Sequence, residues 1–308
     1  MPDIVELWDK PQAERMVMLA GWRQWADAGS LSSGLPKYLV QRNSARRIGR
    51  FNNQGFYMFQ IPGTHDLVRP VVRFENGYPR SMETRRNELF FTRSGECGVL
   101  IFLGDEPHLD IDRYCNALFD LAVDLKVERI VGLGGVYGEL PFDRERIVSC
   151  NFSLKRMAGE FARLAVNLSD YHGGASIGSY LCSQASERDL EYAGMHALVP
   201  TYDFSNMEKL TNTIRIENDF TAWLGVMRRV NFMLRTNFAL EDLEEKSKRL
   251  VEVVNSKVDE LEKMAPEAGV RDYLKRLSDE FEEPVFNPLD DVWEDALRGL
   301  LDDRENPA

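Results

Sequence analysis

Apolar runs separated by polar, Gly-rich breaks fill the first three quarters of the chain, and their period shifts back and forth between two and about 3.6. Met16–Ala20 (MVMLA) is a short apolar run halted by Gly21, the pattern of a buried strand. GWRQWADAG follows, and Ser30, Ser32 and Ser33 are candidate N-caps for a helix from near Ser30 to about Val40. Arg46–Phe51 and Gly55–Ile61 read as strands with Asn52-Asn53 as the turn between them. Arg69–Phe74 and Asn87–Arg93 read as two more, joined through the turn signal Asn76-Gly77-Tyr78-Pro79. Gly98–Leu103 (GVLIFL) is the most strand-like segment, and Tyr114, Leu118, Leu121 and Leu125 then recur at helical spacing over about Asp110 to Leu125. Arg129–Leu133 predicts a strand that breaks at Gly134-Gly135, and Ile147–Cys150 fits a further one. Lys155–Leu164 and Ile177–Tyr192 have helical patterns, and Met195–Pro200 is a late strand. Asp219–Arg235 predicts a helix with Phe220, Trp223, Leu224, Met227, Val230 and Leu234 along one side.

Strands alternating with helices imply an α/β fold with a largely parallel sheet, and the extra strands between residues 46 and 93 make it mixed. In such sheets function collects in loops after strand carboxyl ends. The loops after Ala20, Leu103, Leu133 and Val199 are therefore where a site belongs.

Beyond residue 238 the pattern becomes purely helical. Leu240, Leu243, Ser247, Leu250, Val254, Val258 and Leu261 repeat at three and four residues until Ala265-Pro266 and Gly269 intervene. Tyr273, Leu274, Leu277 and Phe281 mark a second helix. Pro288 suits the first turn of a third, which carries Leu289, Val292, Trp293, Leu297, Leu300 and Leu301. Charge divides the chain at the same place. Residues 239–308 hold 21 acidic and 10 basic side chains, a net of −11 out of −12 for all 308 residues. The division is a body over 1–238, expected to fold alone, and an acidic helical extension over 239–308. The apolar stripe of the extension requires burial, either on its own body or on a neighbouring subunit.

With 44% hydrophobic and 29% charged residues the chain reads as a soluble globular protein. Its acidity excludes nucleic acid as a natural partner, because phosphate binding needs clustered Lys and Arg. Arg42, Arg46, Arg47, Arg50, Arg85 and Arg86 are too scattered for that and suit a solvated strand edge. Cys97, Cys115, Cys150 and Cys182 form no C-x-x-C pair and fit buried thiols in a reducing compartment. No basic, apolar leader opens the chain and no run approaches a membrane span, so the expected location is the cytoplasm.

Four segments carry candidate chemistry. Gly174-Ala175-Ser176-Ile177-Gly178 fits the G-x-S-x-G nucleophile elbow, but only His196 follows as a base; the bland alternative is a turn capping the helix from Ile177. Gly132, Gly134, Gly135 and Gly138 miss the dinucleotide register, since Tyr137 occupies the third glycine position, and no P-loop is present. Asp105, Glu106, His108, Asp110 and Asp112 either gather oxygen ligands for a divalent cation or cap the next helix. Asp27, flanked by Trp22 and Trp25, either recognises a ligand or caps its own downstream helix. No cofactor, metal or complete catalytic set is expected.

These same loops resemble those of a known family. Gly21-Trp22 with Asp27-Ala28-Gly29 is similar to a G-W-x-D-A-G signature with two extra residues, and Gly104-Asp105-Glu106-Pro107 to a G-x-E-P element. Leu133-Gly134-Gly135 matches an L-G-G strand end. Pro141 and Arg144 stand where the family has P-H-T-R, with Phe142 and Asp143 replacing His-Thr. Tyr171-His172-Gly173 matches the start of Y-x-G-P-T-G, and Pro200-Thr201-Tyr202 a late P-x-Y. Over about residues 16–235 the chain resembles the proteasome assembly chaperone two family in its prokaryotic form. The resemblance implies a three-layer α/β/α fold like that of nucleoside phosphorylases, homo-oligomers, and no evident ATP site. Some members dock on proteasome rings through a terminal hydrophobic-Tyr-X motif, which Glu305-Asn306-Pro307-Ala308 does not match.

The reading is a non-enzymatic, self-associating assembly chaperone or scaffold, with the C-terminal helices as a contact surface for a second subunit or a protein partner. The alternative is an enzyme on a nucleoside-phosphorylase-like scaffold, a ligase or hydrolase of a small substrate. The candidate binding cleft comprises Trp22, Asp27, Glu106, Arg144, Tyr171 and Gly173, and the enzyme alternative requires Asp27, Glu106, Arg144 and Tyr171 to converge there.

Overall fold

The computed structural model describes residues 4–60, 69–204, 213–284 and 286. In chain order the elements are β1 (Val5–Leu7), β2 (Arg15–Arg23), α1 (Gly34–Arg42), β3 (Arg46–Phe51), β4 (Val71–Glu75), β5 (Tyr78–Glu83), β6 (Asn87–Ser94), β7 (Cys97–Asp105) and α2 (Ile111–Asp124). Then come β8 (Val127–Gly138), β9 (Val148–Phe152), α3 (Ala158–Phe161), β10 (Asn167–Leu168), α4 (Ile177–Glu187), β11 (Glu191–Asp203), β12 (Thr213–Arg215), α5 (Phe220–Leu234), α6 (Glu241–Met264) and α7 (Val270–Glu280).

One large mixed sheet runs β1-β3-β6-β7-β2-β8-β11-β9-β10, with β12 on β11. Its centre is parallel: β2 pairs in parallel with β7 and β8, and β8 with β11. The central strands are buried on both faces, so they read as continuous apolar runs, and their side chains sort by period two. Val17 and Leu19 of β2 enter one core with Leu35 and Leu39 of α1 and Val226 and Val230 of α5. Met18 and Ala20 enter the other with Leu118 of α2 and Leu181 of α4. Three layers, α/β/α, result. Cys97 and Cys150 lie in the first core and Cys115 and Cys182 in the second, all as free thiols.

The extension is not separate from this packing. Leu243, Val254, Val258 and Leu261 of α6, with Val270 and Leu274 of α7, are buried in the first core. The described part of the acidic extension therefore satisfies its stripe on its own body. The third helix expected from Pro288 onward lies outside the described residues.

Three local expectations are corrected. Gly55–Ile61 is not a strand over its described part: Phe56 is fully buried and its carbonyl accepts the amides of His108 and Leu109, which holds a turn. Asn76-Gly77-Tyr78-Pro79 is not one long turn. Asn76-Gly77 alone turns, and β5 begins at Tyr78 because Pro79 sits at a bulge in a two-stranded hairpin. Gly134-Gly135 does not end β8. A Cβ on Gly134 would stand 2.3 Å from the His196 ring and one on Gly135 2.1 Å from the Ala28 carbonyl oxygen, so glycine is what lets the strand continue there.

Candidate functional site

Glu106 leaves the carboxyl end of β7 and ties two other segments together. Its Oε2 accepts the Trp25 amide at 3.2 Å, from the loop after β2, and its Oε1 accepts the Ile177 amide at 2.7 Å, from the first residue of α4. The exposed amides of a helix start favour an acid there. Burial raises the Glu106 pKa, and the two amides oppose that shift.

Asp27 lies in the same loop and performs the capping role. Its carboxylate accepts the Ser33 amide at 2.8 Å and the Ser33 hydroxyl at 2.7 Å, at the start of α1. Burial raises its pKa as well. The Gly135 amide donates to the Ala26 carbonyl at 2.9 Å and fixes the loop over β8.

Trp22 is buried, and its indole nitrogen donates to the Tyr114 hydroxyl at 2.9 Å. Tyr114 donates to Asn87 at 2.8 Å, and Asn87 donates to the Tyr57 hydroxyl at 2.6 Å. Tyr57 donates to the Asp105 carbonyl at 2.7 Å. The Asp105 carboxylate is buried, accepting Arg23 at 2.6 and 3.1 Å and the Arg86 amide at 2.7 Å. This chain of buried polar groups braces the ends of β2, β6 and β7.

Between the brace and α4 lies a narrow slot lined by Trp22, Glu106, Ser176, Tyr192 and His196, with room for about one water. Ser176 is the N-cap of α4, its Oγ accepting the Ser179 amide at 3.2 Å, so the G-x-S-x-G match is a capping turn. The Tyr192 hydroxyl is buried without a partner among the described residues. Burial lowers the His196 pKa and raises that of Tyr192 well above its usual value.

Tyr171 and Gly173 stand on the exposed rim. The Tyr171 hydroxyl donates to the Gly174 carbonyl at 3.2 Å, and Gly174 faces the Trp25 indole. Trp25 is 70% exposed and Tyr171 68%.

Trp22, Asp27, Glu106, Tyr171 and Gly173 thus come from segments that meet near one end of the sheet. Arg144 does not join them. Its guanidinium stands 3.4 Å from the Ser278 hydroxyl of α7 and 3.6 Å from Glu283, beside the C-terminal helices. Its neighbour Arg146 is the residue turned inward, paired with Asp219 at 2.8 and 3.3 Å, both wholly buried. The acids after β7 also diverge: Asp110 pairs with Arg113 and Asp112 accepts from Tyr180. Among the described residues no three His, Cys, Asp or Glu side chains converge as a metal site. Arg146, Tyr192 and the Asp105 brace were not singled out from sequence. Asp219 was legible only as the first residue of the predicted helix, and the structure makes it the N-cap of α5.

Among the described residues no helix is long and apolar enough to cross a membrane. No curated protein gives a significant match. Among solved structures the chain is similar to a proteasome-assembly chaperone homologue of Mycobacterium tuberculosis, with 22% identity and a TM-score of 0.67, covering 78% of this chain and 94% of that one. A PAC2 family protein of Streptomyces avermitilis gives 22% identity and a TM-score of 0.64, over 78% and 95%. The archaeal proteasome activator PbaB of Pyrococcus furiosus gives 14% and 0.55, over 82% and 97%. These likenesses agree on the fold. The PAC2 family model matches residues 22–258, from Trp22 at the end of β2 into α6, and the chain belongs to the PAC2 family.

Proposed function

We propose that this protein is a non-enzymatic, self-associating assembly chaperone or scaffold of the cytoplasm. One contrast carries the reading. At the site, the carboxylates of Asp27 and Glu106 and the indole N–H of Trp22 bond to the chain's own groups, while the aromatic side chains of Trp25 and Tyr171 face solvent. Val136 and Tyr137, at the carboxyl end of β8, are also exposed. A surface of that kind suits protein contact better than turnover of a small substrate. The enzyme alternative calls for Arg144 beside Glu106, and Arg144 is engaged with α7 and Glu283 instead.

The printed names of structural relatives, a proteasome-assembly chaperone homologue and an archaeal proteasome activator, favour subunits of a ring-forming protein complex as partners. Affinity capture from the native cell, with wild type and a Trp25→Ser/Tyr171→Ser double variant compared by quantitative mass spectrometry, tests this. Specific subunits retained by wild type and lost from the variant are the expected result. Equal recovery by both proteins sinks the rim as the contact surface.

A further inference from the structure

The slot beneath the start of α4 contains a polar group that neither the capping turn nor the buried brace uses. Tyr192 is fully buried, and its hydroxyl has no partner among the described residues. Leaving such a group unpaired is costly, and buried hydroxyls normally bond to protein or to ordered water. The hydroxyl is aimed into the slot. It stands 1.9 Å from where a Cβ on Gly132 would be and 3.2 Å from one on Gly178, and both glycines line the slot. Gly178 is the second residue of α4, where a backbone N–H has no acceptor within the helix. Ser176, the N-cap, and His196 of β11 complete the wall.

The lining selects the chemistry of an occupant. It includes no Lys or Arg, and the Glu106 carboxylate is part of it, so an anion is disfavoured. The positive end of α4 disfavours a cation, and no three His, Cys, Asp or Glu side chains converge among the described residues to hold a metal ion. The room is about that of one water, too little for an organic molecule. The Tyr192 hydroxyl can donate, and the Ser176 hydroxyl and a neutral His196 ring offer both donor and acceptor atoms, so the occupant must itself do both. We propose that the slot is a binding site for one ordered water, which accepts from the Tyr192 hydroxyl and joins β11 to the first turn of α4. Glu106 ties that turn directly to β7 and to the loop after β2. The water supplies the corresponding tie to β11.

A crystal structure of the wild-type chain at a resolution that shows ordered solvent, together with thermal melts of Tyr192→Phe and Gly178→Ala, tests the assignment. A methyl on Gly178 would stand 3.2 Å from the Tyr192 hydroxyl and 3.7 Å from the Ser176 Oγ, in the place of the water. The expected result is a solvent peak within about 3 Å of the Tyr192 hydroxyl oxygen in wild type, and a lowered melting temperature in both variants. Each variant removes either the water or one of its bonds. A dry slot gives the opposite signs: the Phe variant loses only an unpaired hydroxyl, and alanine at Gly178 improves the helix. A wild-type slot without a solvent peak, or a variant that melts at or above wild type, overturns the proposal. The wild-type crystal decides the matter even where neither variant folds.

Discussion

Asp219 holds two structures at once. It neutralises Arg146 in a site from which water is excluded, and it caps α5, accepting the Thr221 and Ala222 amides at 3.1 Å each. Asp219→Ala would strand the Arg146 charge, whose other partners are the carbonyls of Pro141, Phe142 and Arg144. The expected loss is about 3–5 kcal/mol by chemical denaturation, because breaking a buried pair from one side leaves an uncompensated ion. A loss below 1 kcal/mol would mean that water reaches the pair. His196 gives a pH dependence with a definite sign. Its folded pKa lies below the ordinary 6.5 because burial disfavours the imidazolium. A depressed value means that its contribution is complete above about pH 6.5 and is lost as pH falls through the folded value. Wild type should lose melting temperature relative to His196→Gln on acidification through that window. Parallel curves would show that His196 does not sense the folded environment.

The turn from β2 into α1 depends on one close approach, the Ala26–Ala28 backbone laid against Gly135 of β8. Gly135→Ala should cost roughly 2–4 kcal/mol, since the new methyl meets a carbonyl oxygen that cannot swing aside. Near-neutral behaviour in thermal melts would show that the loop has slack. Elements of this kind divide into those that pattern reveals and those it hides. β2, β7, α2 and α5 were legible because each buries a continuous run or a full helical stripe. The end of β8 was not, because the same glycine that signals a break also permits close packing. β5 was missed because Pro79 reads as a turn residue unless the bulge is known. The site was legible in part. Glu106 and Asp27 follow strand ends, where such folds place chemistry, and Trp22 stands beside them. The brace was invisible because Asn53, Tyr57, Asn87 and Tyr114 come from separate segments that only the sheet register brings together. Arg144 was misplaced for the same reason: nothing local says whether Arg144 or Arg146 turns inward.

For the molecule as a whole, the charge boundary at residue 238 and the packing boundary do not coincide. Leu243, Val254, Val258, Leu261, Val270 and Leu274 are buried from the acidic side of that line. Six such side chains at roughly 1.5–3 kcal/mol each rival the entire stability of an ordinary domain. A protein cut after residue 238 should therefore lose its cooperative melt and bind hydrophobic dyes, in contrast to the independent folding that charge and periodicity led one to expect. A sharp transition from the truncated protein would show instead that the body reseals over α5.

The four cysteines provide a readout of opening that needs no engineered label. Two lie on each side of the sheet, and burial pushes the Cys115 and Cys150 thiols up to about 12 and Cys182 to about 11, so none offers a thiolate to an alkylating reagent while folded. Alkylation at each one therefore clocks the exposure of its own layer. Cys97 and Cys150 report on the side that α1, α5 and α6 cover, and Cys115 and Cys182 on the side under α2 and α4. Peptide mapping after pulses of reagent in rising denaturant would then order the loss of the two helical layers, and simultaneous labelling of all four would mark the protein as a single cooperative unit.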